Sequence, residues 1–171
     1  LVEIVEGVIE VRASHGATQL VGDDFEHRLA QEVADWFLAE YDVDLREERR
    51  AWARLLRAAE AAKIELSSHP FAWIKEEYLT EKDGVPLNLR NGVSRRMFED
   101  AIDDLLVKTL DSIDQVLADG EVGREELTQV LMVGGSSRIP AVWERVAHLL
   151  DIEPQMTLNP EEVVALGASV Q

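Results

Sequence analysis

The spacing of apolar side chains changes from an extended to a helical pattern near residue 20. Residues 1–14 are rich in β-forming side chains around Glu6-Gly7, which suits a tight turn, so they predict a β-hairpin. Residues 23–41 predict a helix, because large apolar side chains recur there every four positions. That apolar stripe consists of Phe25, Leu29, Val33 and Phe37.

The next two predicted elements are a helix and a second hairpin. The helix covers about 46–66, where alanine is frequent and the leucines fall on one side, and His69-Pro70 ends it. The hairpin lies in residues 71–90, with Lys82-Asp83-Gly84 as the turn between two extended runs. Asn91-Gly92 is expected to break the chain after it.

The last part of the chain alternates helices with short apolar runs. Ser94 is expected to cap a long helix that reaches about Leu117. Val130–Val133 is a continuous apolar run and predicts a strand buried on both faces, which a glycine turn joins to a helix beginning at Pro140. Pro154–Thr157 predicts a further short strand.

Residues 159–162, Asn-Pro-Glu-Glu, predict the start of a final helix. Asn159 suits the N-cap, Pro160 the first position, and the carboxylate at the third position can reach back to the N-cap amide. The complete order places strands at both ends and helices with a hairpin in the middle. It predicts an α/β domain with an inserted α+β piece.

Charge and composition exclude several function classes. The 171 residues carry a net charge of −17, which nucleic acid and anionic membrane surfaces would repel. No apolar run is long enough to span a bilayer. The chain has no cysteine, which excludes disulfides and thiolate metal sites and fits a reducing compartment such as the cytoplasm.

Two groups of side chains are better explained as surface than as sites. The arginines between Arg46 and Arg57 are interleaved with Glu47 and Glu48, which indicates a solvated helix face rather than a nucleic-acid footprint. The four histidines share no ligand spacing with one another. They are His15, His27, His69 and His148.

Gly134-Gly135-Ser136-Ser137 is the first candidate for binding chemistry. Glycines after a buried strand allow a ligand to approach the backbone, and the following helix points amide donors at an anion. Neither the P-loop pattern nor the Gly-x-Gly-x-x-Gly fingerprint is present. From the residues alone, a plain strand-to-helix turn is favoured over a ligand loop.

Three further candidates have ordinary explanations as well. Glu60, Lys63 and Ser67 form one polar stripe along a helix, suited either to a sugar and a base edge or to a surface with one ion pair. Glu161 complements the dipole of a helix start. The neighbouring acids Asp23-Asp24 diverge around their helix, so the dipole explains them better than Mg²⁺ does.

Four segments resemble the seventy-kilodalton heat-shock chaperones, the DnaK family, and they occur in family order. Residues 130–142, VLMVGGSSRIPAV, closely resemble the family's adenosine motif, and residues 59–68, AEAAKIELSS, its adenosine-contacting helix. Residues 20–25, LVGDDF, resemble the turn into the first helix of a lobe. Residues 159–171, NPEEVVALGASVQ, resemble the closing helix.

The resemblance implies the actin-like ATPase (ribonuclease H-like) fold and, within it, the second lobe of the nucleotide-binding domain. The lobe would have a sheet-based subdomain in residues 1–42 and 93–171 and an inserted helix-hairpin subdomain in residues 43–92. The resemblance also implies ATP or ADP as the ligand, with Mg²⁺ in the intact protein.

Site residues follow from the same resemblance, position by position. From the inserted subdomain, Glu60, Lys63 and Ser67 would reach the ribose and adenine, and Gly22 would pass close to the phosphates. Glu161 stands near the nucleotide, where the family usually has Asp, and Val21 stands where it usually has Gly. The residues that would line the adenosine are Gly134, Gly135, Ser136, Arg138 and Ile139.

The family's two phosphate loops, its catalytic lysine and its peptide-binding domain have no counterpart in this sequence. We therefore expect no hydrolysis by this chain alone, and we expect strand exchange, dimerisation or low stability where a sheet neighbour is missing. Nucleotide-exchange factors and J-domain co-chaperones are the implied partners. Alternatives are a divergent, non-catalytic chaperone-like module and an actin-like filament protein.

Overall fold

The structure, a computed structural model, describes residues 1–16, 22–156 and 158–169. The chain divides into two compact units, Leu1–Leu20 with Asp104–Gln171, and Val21–Asp103. In chain order the elements are β1 (Val2–Val5), β2 (Val8–Val11), α1 (Gly22–Tyr41), α2 (Arg49–Ser68), β3 (Phe71–Lys82), β4 (Val85–Ser94), α3 (Arg95–Ala101), α4 (Asp103–Asp119), α5 (Pro140–Leu150) and α6 (Val163–Ala168). Short 3-10 turns occupy Arg124–Glu126 and Gly135–Arg138.

The second unit is larger than the insert that the sequence predicts, because α1 and α3 pack with α2 and β4. The predicted apolar stripe of α1 is buried along its whole length. Helix α1 packs against α2 and α3 of the same unit, and burial of this stripe stabilises the unit. The subdomain boundaries at 42/43 and 92/93 stay a prediction.

Both predicted hairpins are present, with two-residue turns whose backbone is left-handed at both positions. The turn residues are Glu6 (φ 51°), Gly7 (φ 82°), Asp83 (φ 53°) and Gly84 (φ 78°). Such turns match the right-handed twist of the strands that they join. The predicted break at Asn91-Gly92 is wrong, because β4 continues to Ser94 and pairs these residues with Ile74 and Trp73 of β3.

The caps of the middle helices were partly predictable. The Ser94 hydroxyl accepts a hydrogen bond from the Met97 amide at 3.2 Å, which confirms the expected N-cap. The single long helix that was expected is two helices, since the backbone leaves the helical conformation at the buried Ile102 (φ −106°, ψ 5°). Helix α2 begins at Arg49 rather than near 46, after a loop in which the Arg46 amide donates to Asp44 Oδ1 at 3.0 Å.

The first unit has a small apolar core. Its buried members are Leu117, Val146 and Leu150. Half-buried side chains from α4, α5 and the loops pack around them, as does Leu1 at the base of the β1–β2 hairpin. The hairpin itself is exposed along both strands.

The predicted strand at Val130–Val133 is wrong. The segment makes a single parallel bridge, Leu131 with Gln155, and the side chains of Leu131 and Val133 are 61% and 55% exposed. A strand buried on both faces needs neighbours on both edges, whereas within the described residues this segment pairs on one side only. The strand predicted at Pro154–Thr157 is reduced to Gln155, and Thr157 lies outside the described residues.

Candidate functional site

The loop around Gly134 is positioned by two segments that run parallel to each other. The Met132 amide donates to the Gln155 carbonyl at 2.9 Å, and the Gln155 amide donates to the Val130 carbonyl at 2.7 Å. The Gly134 amide then donates to the carbonyl of Pro160 at 2.7 Å. These bonds bring the glycine turn, residues 134–137, next to the residues that lead into α6.

The glycine turn has a conformation that only glycine adopts readily. Gly134 has φ 86° and ψ 152°, and no atom lies within 4 Å of the place where its Cβ would be. The Gly134 carbonyl accepts bonds from Ser137, at 3.1 Å from the amide and 2.6 Å from the hydroxyl. Ser137 is buried and Gly135 is exposed, so the turn is fixed from inside and open outside.

Arg138 is held beside this turn. Its Nε lies 3.3 Å from Glu161 Oε1, and its Nη2 donates to Asn159 Oδ1 at 3.0 Å. Asn159 Oδ1 also accepts from the Glu161 amide at 3.2 Å, which closes a local turn. The predicted helix start at Asn159 is wrong, because α6 begins at Val163 with Glu162 at its N-cap. The Arg138 side chain remains 46% exposed. Its guanidinium is therefore oriented and still open to a ligand.

Ile139 and Ser136 occupy different environments in this region. Ile139 is 3% exposed, and its amide donates to the Ser136 carbonyl at 3.1 Å, while Ser136 itself is half-buried. The structure thus brings five of the predicted residues to one surface, while Ile139 is buried below that surface. The five are Gly134, Gly135, Ser136, Arg138 and Glu161.

The polar stripe on α2, formed by Glu60, Lys63 and Ser67, lies in the second unit. The Lys63 ammonium forms an ion pair with Glu26 of α1 and donates to the Gly22 carbonyl at 3.2 Å. The Ser67 hydroxyl donates to the Lys63 carbonyl at 3.2 Å, one turn back along its own helix. Glu60 is exposed.

The contact between Lys63 and Gly22 joins two of the predicted site residues across 41 positions of sequence. Glu26 is a member of this cluster that the sequence did not single out, because nothing in its spacing pairs it with Lys63. The neighbouring Val21, which stands where the family usually has Gly, lies outside the described residues.

Ile64 was also not singled out from the sequence. It is 64% exposed on α2, four residues after Glu60 and three before Ser67, so it lies within the polar stripe. A large apolar side chain on a surface otherwise built of polar groups offers an aromatic base a contact that no polar neighbour provides. The sequence signal was the interruption of that stripe by one β-branched apolar residue.

Metal chemistry and membrane insertion find no support in these side chains. Among the residues that the structure describes, no three His, Asp or Glu side chains converge as metal ligands, and Asp23-Asp24 is no exception. Within the same residues, no helix has the length and apolar character to cross a membrane.

Comparison with known proteins assigns the chain to a family. The family described as Hsp70 protein matches residues 1–171, which is the whole chain. The chain belongs to the Hsp70 family. Chaperone protein DnaK of Halobacterium salinarum is 40% identical over 161 residues, which cover 94% of this chain and 26% of that relative. Chaperone protein dnaK1 of Prochlorococcus marinus subsp. pastoris is 40% identical over 171 residues, which cover 100% of this chain and 26% of that relative.

Two consequences follow for the structure. The resemblance stated from four short segments is confirmed over the full length of the chain. Membership of the Hsp70 family implies the actin-like ATPase fold, and the observed mixture of helices and antiparallel hairpins is consistent with it. The chain spans about a quarter of the length of the curated relatives that it matches.

Proposed function

We propose that this chain is the adenine-nucleotide-binding lobe of an ATP-dependent protein-folding chaperone. The observation that carries the proposal is the guanidinium of Arg138, which Glu161 and Asn159 orient beside the open glycine turn. A planar cation fixed by two acceptors stacks on an aromatic base at little entropic cost. Gly134 leaves the space above the backbone clear for the nucleoside.

The α2 stripe supports the same proposal. Glu60 and Ser67 offer oxygens to the hydroxyls of a ribose, while Ile64 offers apolar surface to a base. Lys63 holds the start of α1 through the Gly22 carbonyl, so its ammonium fixes the backbone that would pass the phosphates. We propose that Lys63 acts mainly through this positioning, since two of its three donors already have partners in the structure.

Hydrolysis belongs, in this proposal, to the longer protein. In Hsp70 chemistry the bound Mg²⁺ neutralises charge on the transferred phosphoryl group. The described residues bring together no carboxylate cluster that fits Mg²⁺. We propose that the chain alone binds adenine nucleotide and leaves its phosphates intact.

The direct test is a calorimetric titration of ADP into the chain and into two matched variants. Arg138→Ala is expected to weaken ADP binding by roughly tenfold, the effect of losing one oriented cation at a base. Arg124→Ala is the control, because Arg124 lies in the same unit, is equally exposed at 47%, and also pairs with one carboxylate, Asp114. Equal affinities for the two variants would refute the site assignment.

A non-catalytic chaperone-like module is the second candidate, and the pairing of Glu161 favours it. Where the family usually has Asp, the longer Glu161 reaches the Arg138 guanidinium and occupies part of it. ATP turnover by the full-length protein separates the candidates, because only the first predicts it. The third candidate, a filament protein, predicts nucleotide-dependent polymers that would sediment.

Partners are proposed at two levels. Nucleotide-exchange factors and J-domain co-chaperones are proposed from family membership, together with a cytoplasmic location. Self-association is proposed from the β1–β2 hairpin, whose apolar side chains are more than half exposed. A two-stranded hairpin with an uncovered apolar face is marginal in water, so a second copy or another part of the protein would cover it.

A further inference from the structure

One side of the β3–β4 hairpin carries two aromatic rings that pack on each other and remain exposed. Phe71 and Trp73 are two residues apart on β3, so they share a face. Their ring centroids are 5.3 Å apart with an interplanar angle of 80°, and the side chains are 42% and 45% exposed. This edge-to-face pair is open to solvent.

Two cations flank the same ring. Lys75 Nζ lies 5.3 Å from the Trp73 ring centroid, and Arg90 Cζ lies 4.9 Å from it. Lys75 and Arg90 are also directly opposite each other in the β3–β4 register. Like charges placed opposite each other destabilise a sheet, and no carboxylate in the described part of the chain forms an ion pair with either cation.

Gly92 allows the rings to lie where they do. It stands opposite Trp73 in the register, and a Cβ at this position would come within 2.5 Å of Phe71 Cζ. Any other residue there would displace the pair of rings. The two rings, the two cations and the bare backbone beneath them form one surface, the aromatic–cationic platform (Phe71, Trp73, Lys75 and Arg90).

We propose that this platform docks a segment of a partner protein in which an apolar side chain lies next to carboxylates. The rings supply apolar contact area, and the carboxylates would relieve the repulsion between the two opposed cations. Nucleic acid fits less well, because a chain of net charge −17 repels a dense phosphate array more strongly than it repels two carboxylates. The platform contains none of the predicted nucleotide-binding residues, so this proposal is independent of the proposed function.

Fluorescence anisotropy with synthetic peptides tests the proposal on the full 171-residue chain. The probe is a fluorescein-labelled, glycine-serine-rich peptide with a central Asp-Leu-Phe-Asp, and the comparison peptide has Asn in place of both Asp residues. The acidic probe is expected to bind roughly tenfold more tightly, and added salt should remove most of that difference.

Variants of the chain locate the binding. Lys75→Gln with Arg90→Gln is expected to reduce affinity for the acidic probe by roughly tenfold, whereas Arg50→Gln with Arg57→Gln, which removes the same charge from exposed positions of α2, should change it less than about twofold. Gly92→Ala keeps every charge and displaces the rings, so it should also weaken binding. Circular dichroism of each variant shows that it is folded.

Three results would overturn the proposal. They are equal affinity for the acidic and the amide peptide, unchanged affinity in the Lys75→Gln, Arg90→Gln variant, and tighter binding of a labelled single-stranded oligonucleotide than of the acidic probe. The last result would make the platform a nucleic-acid surface.

Discussion

Lys63 and Glu26 form an ion pair that links α2 to α1, and their side chains are only 15% and 13% exposed. Lys63 also donates to the Gly22 carbonyl, so one ammonium joins the C-terminal half of α2 to the first residue of α1. A shielded pair of this kind depends on both partners, because removing one leaves the other charge desolvated and uncompensated.

Glu26→Gln is therefore expected to lower the free energy of unfolding by about 1–3 kcal/mol, measured by urea denaturation. The matched control is Glu32→Gln, an exposed position of the same helix, which should change it by less than about 0.5 kcal/mol. A Glu26→Gln, Lys63→Met double variant should recover part of the loss. If the single and double variants were equally unstable, the pair would not be coupled.

Gly134→Ala tests the backbone of the glycine turn. The space at its Cβ is empty, so the expected loss of about 1–3 kcal/mol comes from the conformation at φ 86° and ψ 152° rather than from a clash. Gly135→Ala is the control, since φ is ordinary there and the new Cβ would lie 3.8 Å from Glu161 Oε1, a normal contact. Thermal unfolding of both variants measures the difference, and equal stabilities would contradict the strain argument.

Ile64→Gln tests the apolar position in the α2 stripe. Because Ile64 is largely exposed, the substitution should leave the unfolding temperature unchanged while it weakens ADP binding several-fold through lost apolar contact. Ala53→Gln places the same side chain at another exposed position of α2 and should not affect ADP. Unchanged ADP affinity in Ile64→Gln would remove this residue from the site.

Local signals predicted the local structure well. The turns at Glu6-Gly7 and Asp83-Gly84 and the cap at Ser94 depend on a few adjacent residues, and each is present. The break at Asn91-Gly92 failed because ladder partners on β3 hold these residues extended, and no local pattern reports such partners. Val130–Val133 failed for the opposite reason, since its apolar run finds one pairing neighbour instead of two.

The candidate site shows the same division. Arg138 and the glycine turn were predicted as site residues from the resemblance of one contiguous segment, and their role stays a prediction. Glu26 could not be identified, because its relation to Lys63 depends on how α1 packs on α2 rather than on spacing within either helix. The sequence shows which polar side chains are present. Which of them already have hydrogen-bond or ion-pair partners depends on tertiary packing.

The exposed β1–β2 hairpin predicts self-association. Val2, Ile4, Ile9 and Val11 share one face, because Val2 pairs with Val11 and Ile4 with Ile9. Light scattering should show a mean mass that rises with protein concentration, and Ile4→Thr with Ile9→Thr should lower it. Val5→Thr with Val8→Thr alters the other face and is the matched control. A compact monomer at every concentration would refute self-association.

Acid should weaken one contact in the loop before α2. Asp44 Oδ1 accepts hydrogen bonds from Arg46 Nε at 2.7 Å and from the Arg46 amide at 3.0 Å. The side-chain bond first, and then the backbone bond, hold the pKa of Asp44 below its ordinary value in the folded protein. A lowered folded pKa means that this contribution to stability is fully present above the unfolded pKa and is lost as the pH falls through the folded one.

Asp44→Asn should therefore destabilise the protein slightly at neutral pH, and the difference from the native chain should vanish in acid. The effect is small because solvent screens a contact at the surface. The control is Asp44→Asn in an Arg46→Met background, where the side-chain donor is absent and only the backbone amide still donates to residue 44, so the substitution should matter less at neutral pH than in the native background. Urea denaturation over a series of pH values measures both, and a difference that did not change with pH would show that the charge of Asp44 plays no part.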